Sequence, residues 1–202
     1  IVSACTSSTN AIGTAFRMIR DGYADRVLCG GADTAFDPFV FAGWNNLGVM
    51  SKQTDPLAAC RPFDAARDGC VLGEGAAALL LEDFDTAVAR SAVIRAEIAG
   101  FGESSDAEHI TSPSAEGQAR AMSAAMASAG IAADRIGFVN AHGTATKNND
   151  LAESAAFKSV WSRKIPPVTS TKPSTGHMLG ASGTIGSIIS ILSLVHKKIP
   201  PT

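Results

Sequence analysis

Apolar and polar residues alternate along the chain in two recurring patterns. Short apolar runs predict buried strands, and longer stretches with apolar residues at helical spacing predict helices. The predicted strands are residues 1–4, 26–29, 76–82, 93–100, 137–140 and 168–170. The predicted helices are residues 7–21, 115–129, 149–161 and 179–196, with a helical turn at 86–90. This alternation predicts an α/β protein with a largely parallel or mixed sheet that is covered on both faces.

The remaining segments refine this picture. Residues 34–70 carry several glycines and prolines, which predict a loop-rich region. Helix 179–196 is so apolar that we expect it in the middle of a layered structure. Its most apolar stretch, 185–195, is interrupted by serines and is shorter than the roughly 20 residues of a membrane span, so no membrane-spanning segment is predicted.

Composition limits the classes of protein that the chain can represent. Its 202 residues are 46% hydrophobic and 18% charged, which favours a packed globular interior in one large or two small domains. A net charge of -2 gives no basic excess for a nucleic-acid partner. Cysteines 5, 29, 60 and 70 form no C-x-x-C pair, so we expect a reduced, intracellular protein. The first residues already resemble the interior of a strand, and we therefore expect a longer parent chain.

Cys5 lies where the first predicted strand leads into a helix. The free N–H groups and the positive dipole end of that helix favour a thiolate, which is the nucleophilic form of cysteine. The same N–H groups can stabilise an oxyanion. A small buried thiol is the competing interpretation of Cys5, and it is the one that we adopt for Cys29, Cys60 and Cys70.

Two histidines occupy matching positions just after predicted strands. His142 follows strand 137–140 and His177 follows strand 168–170, and each has a neighbouring glycine. Reacting groups of α/β proteins gather at the carboxyl ends of strands, so Cys5, His142 and His177 are expected to form one reaction centre. His109 and His196 lack this context and are interpreted as structural.

A group of charged residues accompanies this centre. Asp150 and Glu153 are three residues apart on one predicted helix face, and we expect them to pair with Lys172. The alternative is that both acids are solvated at a helix N-terminus. Gly30-Gly31 and residues 73–75 match no phosphate-binding pattern and are interpreted as turns and sites of tight packing. The sequence predicts no metal site.

Four ordered motifs resemble those of the β-ketoacyl-acyl carrier protein synthases, most closely the type II elongating kind. They are SACTSS at residues 3–8, RPFD at 61–64 with RDGCVLGEG at 67–75, NAHGTAT at 140–146, and STKPSTGH at 170–177. The resemblance implies a thiolase-like fold of two similar α/β halves in αβαβα layers. Residues 1–90 would then end the N-terminal half and carry the nucleophile, and 91–202 would form a truncated C-terminal half. The family's gating phenylalanine and C-terminal oxyanion donor would lie outside this chain.

The resemblance also implies a mechanism. Cys5 would hold an acyl group as a thioester, while His142 and His177 would stabilise the enolate formed when malonyl-acyl carrier protein loses carbon dioxide. Lys172, Asp150 and Glu153 match a charged network behind the histidines, and Thr144 and Thr146 match positions that hold the phosphopantetheine arm. The carrier delivers that arm, so no metal or separate cofactor is expected. The full-length protein would be a cytoplasmic homodimer of fatty acid biosynthesis.

Two positions depart from the family pattern. Gly186 stands where many fatty-acid enzymes carry glutamate, which leaves a polyketide-type ketosynthase open. Trp44 falls where the family lines its acyl pocket, and its ring would either shorten the accepted chain or fill the core.

Other classes of protein fit the sequence less well. A non-catalytic chain-length-factor-like subunit would lack the cysteine, a thiolase would pair its nucleophile with a second cysteine and one histidine, and a papain-like protease would need a motif that is absent here. We also expect residues 1–202 alone to be poorly soluble and inactive, because apolar faces would be exposed.

Overall fold

A computed structural model describes residues 1–109 and 111–202. The α-helices of the described residues are α1 (Ser7–Arg20), α2 (Pro38–Asn46), α3 (Pro56–Ala59), α4 (Phe84–Ala89), α5 (Ala115–Ala129), α6 (Lys147–Val160), α7 (Lys172–Thr175) and α8 (Ser182–His196). The strands are β1 (Arg26–Asp33), β2 (Gly75–Glu82), β3 (Val139–Asn140) and β4 (Val168–Thr169). Short 3-10 turns occupy Ala4–Thr6, Ala133–Arg135 and Leu179–Ala181.

The strands form two small sheets in the described part of the chain. β1 and β2 are antiparallel, with Arg26 opposite Glu82 and Asp33 opposite Gly75. β3 and β4 are parallel, with Val139 opposite Val168. The predicted mixture of strand directions is therefore present, although the strands lie in two separate sheets.

The contacts of the two sheets with the helices define the layers of the structure. Helices α1 and α8 pack against β1 and β2, and α8 also contacts β3. Successive residues of a strand point to opposite faces: Asn140 donates from its side chain to the Gly186 carbonyl of α8, at 2.9 Å. Val139 instead joins the apolar cluster of Phe157 and Trp161, which includes residues of α5 and α6. The described residues thus stack as sheet, helices, sheet and helices.

The prediction that the sheet is covered on both faces is wrong for β1 and β2. Leu28 and Leu80 lie opposite each other on the face away from α1 and α8, and they are 72% and 56% exposed. The described helices cover only one face of this pair, so its other face remains apolar and open. The expected poor solubility of residues 1–202 stays a prediction.

Two predicted strands are absent from the described structure. Residues 1–4 lead into the 3-10 turn Ala4–Thr6, and residues 93–100 are irregular. A strand requires a neighbour for its N–H and C=O groups, and neither segment has one among the described residues. Conversely, α2 and α3 lie in the predicted loop region. Asp37 and Asp55 cap these helices ahead of Pro38 and Pro56, a helix-start signal that sequence analysis overlooked.

By length and composition alone, residues Leu179–His196 are long and apolar enough to cross a membrane, with a mean hydropathy of 1.5. This result differs from the prediction based on residues 185–195. Helix α8 contacts β1, β2 and β3, as expected for a helix between two layers, but only 17% of this window is buried among the described residues. Small residues allow its close packing against α1: a Cβ at Gly183 would lie 2.6 Å from the Thr9 backbone nitrogen.

Candidate active site

Cys5 lies in the 3-10 turn that immediately precedes α1. Ala4 has a positive φ of 51°, which is a strained conformation for a residue with a side chain. The turn replaces the predicted direct passage from strand to helix. It places the partly buried Cys5 Sγ 3.1 Å from Nε2 of His177.

The backbone of His177 is held by the segment that contains the RDGCVLGEG motif. Its N–H donates to the Val71 carbonyl at 2.7 Å, and its carbonyl accepts from Gly73 N–H at 3.0 Å. Gly176, with a positive φ of 69°, turns the chain between α7 and His177. Two of the four sequence motifs therefore meet at this histidine.

The backbone around His142 is held from two sides. The Glu153 carboxylate accepts from the N–H groups of His142 and Gly143, at 2.7 and 2.8 Å. The buried Lys172 ammonium donates to the His142 carbonyl. Gly143 adopts a positive φ of 44°, so the sharp turn after β3 suits a glycine. Glu153 thus holds the N–H groups of the turn at His142, and Lys172 holds the His142 carbonyl.

The structure brings the three predicted reacting residues together. The Sγ of Cys5 and one ring nitrogen each of His142 and His177 lie within 4.8 Å of one another. The two imidazole rings are nearly perpendicular, at 83°, with centroids 5.2 Å apart. All three side chains line a cavity of about 1530 Å³. The expected convergence of a thiol and two imidazoles is present.

Burial controls the protonation of the two imidazoles. Burial lowers the pKa of His177 to about 3, with a further contribution from the Lys172 charge. The pKa of His142 also falls well below its usual value, mainly through burial and then through Lys172 and His177. Both rings are therefore neutral near pH 7, and each can donate one N–H hydrogen bond.

The predicted thiolate preference of Cys5 requires correction. Burial raises the pKa of the Cys5 thiol above its ordinary value, and the nearby Lys172 charge offsets only part of this effect. The thiol form therefore dominates near neutral pH because the sulfur is largely removed from water. A reaction at Cys5 must move this proton.

Neither Asp150 nor Glu153 forms the expected salt bridge with Lys172 among the described residues, although both charges act on it. Asp150 pairs with Arg67, at 3.4 Å, and accepts from the Phe63 N–H at 2.7 Å. Burial lowers the pKa of Lys172, while the negative charges of Glu153 and Asp150 raise it. Both acids thus act on Lys172 through space, and Asp150 also holds the RPFD and RDG segments. Sequence analysis did not select Arg67 as a site residue, although it lies in the RDG motif.

Cys5, His142 and His177 are also close enough to serve as ligands of one metal ion. The positive charge of Lys172 opposes a cation there, just as it opposes protonation of both imidazoles. The 3.1 Å contact between Cys5 Sγ and His177 Nε2 is already a hydrogen bond. The arrangement favours chemistry at the sulfur.

Comparison with known proteins agrees with this geometry. Residues 1–87 match the family model "Beta-ketoacyl synthase, N-terminal domain", and residues 95–202 match "Beta-ketoacyl synthase, C-terminal domain". The chain belongs to the β-ketoacyl synthase family. The resemblance stated from the four motifs is therefore confirmed.

Curated β-ketoacyl synthases match along the whole chain. The chain is 47% identical over 208 residues to 3-oxoacyl-[acyl-carrier-protein] synthase 2 of Vibrio cholerae. It is 41% identical over 206 residues to the protein of the same name in Synechocystis. The chain spans 50% of the length of each relative.

Solved ketosynthase structures confirm the thiolase-like α/β fold. The ishigamide ketosynthase/chain length factor gives a TM-score of 0.95 at 39% identity, covering 100% of this chain and 49% of that one. A β-ketoacyl synthase of Burkholderia phymatum gives 0.92 at 42% identity, covering 96% and 47%. A third relative, at 34% identity and a TM-score of 0.91, is a ketosynthase in complex with a type II PKS acyl-carrier protein, covering 95% and 48%.

The remaining predicted positions of this β-ketoacyl synthase also line the cavity. Thr144 and Thr146 are joined by a hydrogen bond of 2.9 Å between their hydroxyl oxygens. Trp44 presents its ring nearly perpendicular to that of His177, with centroids 6.3 Å apart. Ser182, which sequence analysis did not select, lies 3.0 Å from Nδ1 of His177. Ser182 follows His177 by five residues, and this spacing in the sequence does not indicate that the two side chains meet.

Proposed function

We propose that this chain carries the nucleophile and the decarboxylation centre of a 3-oxoacyl-[acyl-carrier-protein] synthase. The observation that carries the proposal is one thiol and two neutral imidazoles that converge in one cavity. Relatives of that name match the whole chain, which supports the same activity here. The reaction would be a decarboxylative condensation in fatty acid biosynthesis.

Acyl transfer is the first step of the proposed reaction. The Cys5 sulfur attacks the thioester carbonyl of an acylated carrier, a new S–C bond forms, and the carrier thiolate leaves. The thiol proton of Cys5 goes to the departing carrier sulfur. His177 Nε2, 3.1 Å from Sγ, can stabilise negative charge on the sulfur during this transfer.

Condensation follows when malonyl-acyl carrier protein enters. The N–H groups of His142 and His177 donate to its thioester oxygen while the bond to the carboxylate breaks and carbon dioxide leaves. The resulting carbanion attacks the acyl carbonyl on Cys5, and the sulfur leaves as a thiolate. The product is a 3-oxoacyl chain that is two carbons longer. Neutral imidazoles suit this role because they already hold their N–H groups toward the developing oxyanion.

The proposed partner is an acyl carrier protein, which would deliver its phosphopantetheine arm to the cavity. Thr144 and Thr146 are the proposed contacts of this arm, since their linked hydroxyls line the cavity beside His142. The complex of a related ketosynthase with its acyl-carrier protein supports an acyl carrier protein as the partner. No separate cofactor is needed in this scheme. A homodimeric, cytoplasmic full-length protein completes the proposal.

A polyketide-type ketosynthase is the second candidate. The glycine at position 186 favours this candidate, because many fatty-acid enzymes would carry a carboxylate there. The position faces Asn140, and a Cβ on Gly186 would lie 3.6 Å from Asn140 Nδ2. The similarity to the ketosynthase that was solved with a type II PKS acyl-carrier protein points the same way. A non-catalytic partner subunit is disfavoured by the intact set of Cys5, His142 and His177.

Mass spectrometry of the full-length protein tests the proposed activity. Incubation with acylated carrier is expected to add one acyl group to Cys5, and malonyl-carrier should then release carbon dioxide and discharge the adduct. Cys5→Ala should abolish labelling because the attacking sulfur is lost. Cys29→Ala is the matched control, since its thiol lies in β1 and bonds to the Leu79 carbonyl. Labelling without subsequent carbon dioxide release would indicate a simple acyltransferase.

Trp44 is expected to limit the length of the acyl group. Trp44→Ala removes the ring beside His177. This change should raise kcat/KM for a long acyl chain relative to a short one about tenfold or more, since a single methylene group in an apolar pocket is worth at least that much. Competition between two acyl-carriers of different length measures this ratio. Phe39→Ala, on the same helix but away from the cavity, should leave the ratio unchanged. An unaltered ratio in Trp44→Ala would assign the ring to packing alone.

A further inference from the structure

The imidazole of His177 has a hydrogen-bond partner at each nitrogen. Nε2 lies 3.1 Å from Cys5 Sγ, and Nδ1 lies 3.0 Å from the Ser182 hydroxyl. The residue is only 2% exposed, so water does not compete freely for either nitrogen. Ser182 is the first residue of α8, on the opposite side of the ring from the nucleophile.

These two hydrogen bonds depend on each other. A neutral imidazole carries one N–H and one lone pair, and the lowered pKa keeps His177 neutral near pH 7. If the Ser182 hydroxyl donates to Nδ1, the proton of the ring must be on Nε2. If Nδ1 donates to the hydroxyl, Nε2 presents a lone pair to the reacting centre and cannot donate to a thioester oxygen.

The surroundings of Ser182 favour donation by the hydroxyl. Within residues 1–109 and 111–202, His177 is the only hydrogen-bond partner found for this hydroxyl. Other serines of α8, such as Ser187 and Ser193, donate to carbonyls of their own helix instead. The positive end of the α8 dipole also disfavours a charged ring here. The hydroxyl proton therefore has one acceptor, the lone pair of Nδ1.

The position of Ser182 relative to the nucleophile is fixed by the packing of two helices. Thr184 N–H donates to the buried Ser8 hydroxyl at 3.0 Å, which ties the start of α8 to the start of α1. Cys5 directly precedes α1, so sulfur, imidazole and hydroxyl belong to one rigid group. The perpendicular rings of Trp44 and His142 further restrict the plane of the His177 ring.

We propose that Ser182 is a positioning residue whose hydroxyl donates to Nδ1 of His177 and thereby holds the Nε2 proton toward the reacting centre. This inference rests on the proposed function, in which the Nε2–H of His177 donates to the thioester oxygen of the malonyl substrate. Ser182 itself touches no reacting atom. Its effect reaches the reaction through the tautomer and the orientation of one ring.

Nitrogen NMR of the histidine-labelled full-length protein tests the tautomer directly. In the unsubstituted protein, the shifts of His177 are expected to show a protonated Nε2 and a hydrogen-bonded lone pair on Nδ1. In Ser182→Ala, the Nδ1 shift should move and a second tautomer should become visible. A protonated Nδ1 in the unsubstituted protein would overturn the proposal.

Kinetics provide the second readout. Ser182→Ala should lower kcat for malonyl decarboxylation about tenfold, the worth of one net hydrogen bond, with little change in KM. Ser182→Thr keeps the hydroxyl and should restore most of the rate. Ser193→Ala is the matched control, because this buried serine of α8 lies outside the cavity. A rate in Ser182→Ala equal to that of the unsubstituted protein, or a change in Ser193→Ala of the same size, would contradict the assigned role.

The two readouts separate this inference from the proposed function. If the unsubstituted protein released no carbon dioxide from malonyl-carrier, the proposed function would fail. The tautomer of His177 measured by NMR would still show whether Ser182 determines which ring nitrogen carries the proton. If decarboxylation occurs but Ser182→Ala leaves both tautomer and rate unchanged, only the inference about Ser182 fails.

Discussion

Replacing His142 with alanine is expected to abolish decarboxylation while Cys5 still accepts an acyl group. The His142 ring lies beside His177 in the cavity, but only His177 forms a hydrogen bond to Cys5 Sγ among the described residues. Loss of one oxyanion donor lowers kcat by about 10²- to 10³-fold. The first step uses the sulfur and its contact to His177, so it should retain most of its rate.

Two measurements on the same preparation check this separation. Carbon dioxide release from malonyl-carrier reports the second step, and the mass of the acyl adduct on Cys5 reports the first. His196→Ala is the control, since this histidine is exposed at the end of α8. An equal loss of both steps in His142→Ala would show that the ring supports the site as a whole, and its separate role would be withdrawn.

His177 is expected to behave differently, because it contacts the nucleophile. Its Nε2 is positioned to act on the sulfur during acyl transfer and on the malonyl thioester during condensation. His177→Ala should therefore slow both adduct formation and carbon dioxide release. The two histidines are expected to differ because only His177 lies within hydrogen-bond distance of Cys5 Sγ among the described residues, although their sequence contexts are similar.

The sequence predicted the reacting residues because each lies in a local pattern with a physical meaning. Cys5 precedes a helix, and His142 and His177 follow strands beside glycines that the turns require at positive φ. Helices α1, α5 and α6 were also predicted, since their apolar spacing is local. The family resemblance and the α/β class followed from these same short segments.

Features that depend on distant partners were not predicted correctly. Asp150 pairs with Arg67, 83 residues away, and no spacing rule could choose Arg67 over Lys172. The contact between Ser182 and His177 depends on how α8 packs against α1. Burial of Cys5 raised its pKa despite the adjoining helix, because desolvation by the folded chain exceeds the local effect that the sequence suggests.

Replacing Lys172 with methionine is expected to slow the reaction and to move its acid limit to higher pH. The Lys172 ammonium donates to the partly buried His142 carbonyl, and its loss leaves that carbonyl without this partner. A hydrogen bond to a charged group corresponds to about a 10- to 100-fold change in rate if it is lost at the reacting centre. The same charge lowers the pKa of both imidazoles, so those pKa values should rise in the variant.

The pH effect has this direction because the neutral form of the His177 imidazole is the active one. Below the pKa of His177, about 3 in the folded protein, the ring becomes a cation and its balance of donor and acceptor is lost. Without Lys172 this pKa moves toward the ordinary value of 6.5, so activity should begin to fall at a higher pH. The pH profile of carbon dioxide release measures this shift. Lys158→Met, an exposed position on α6, should retain the original profile.

Thermal unfolding provides an independent check with a defined sign. His177 has a lower pKa folded than unfolded, so the unfolded chain binds the additional proton between pH 6.5 and about 3, and stability falls as pH decreases through this window. Lys172→Met narrows the window because the folded pKa rises. The decrease in Tm from pH 7 to about pH 3 should therefore be smaller in Lys172→Met than in Lys158→Met. Equal decreases, together with an unshifted rate profile, would show that the Lys172 charge does not control the imidazoles.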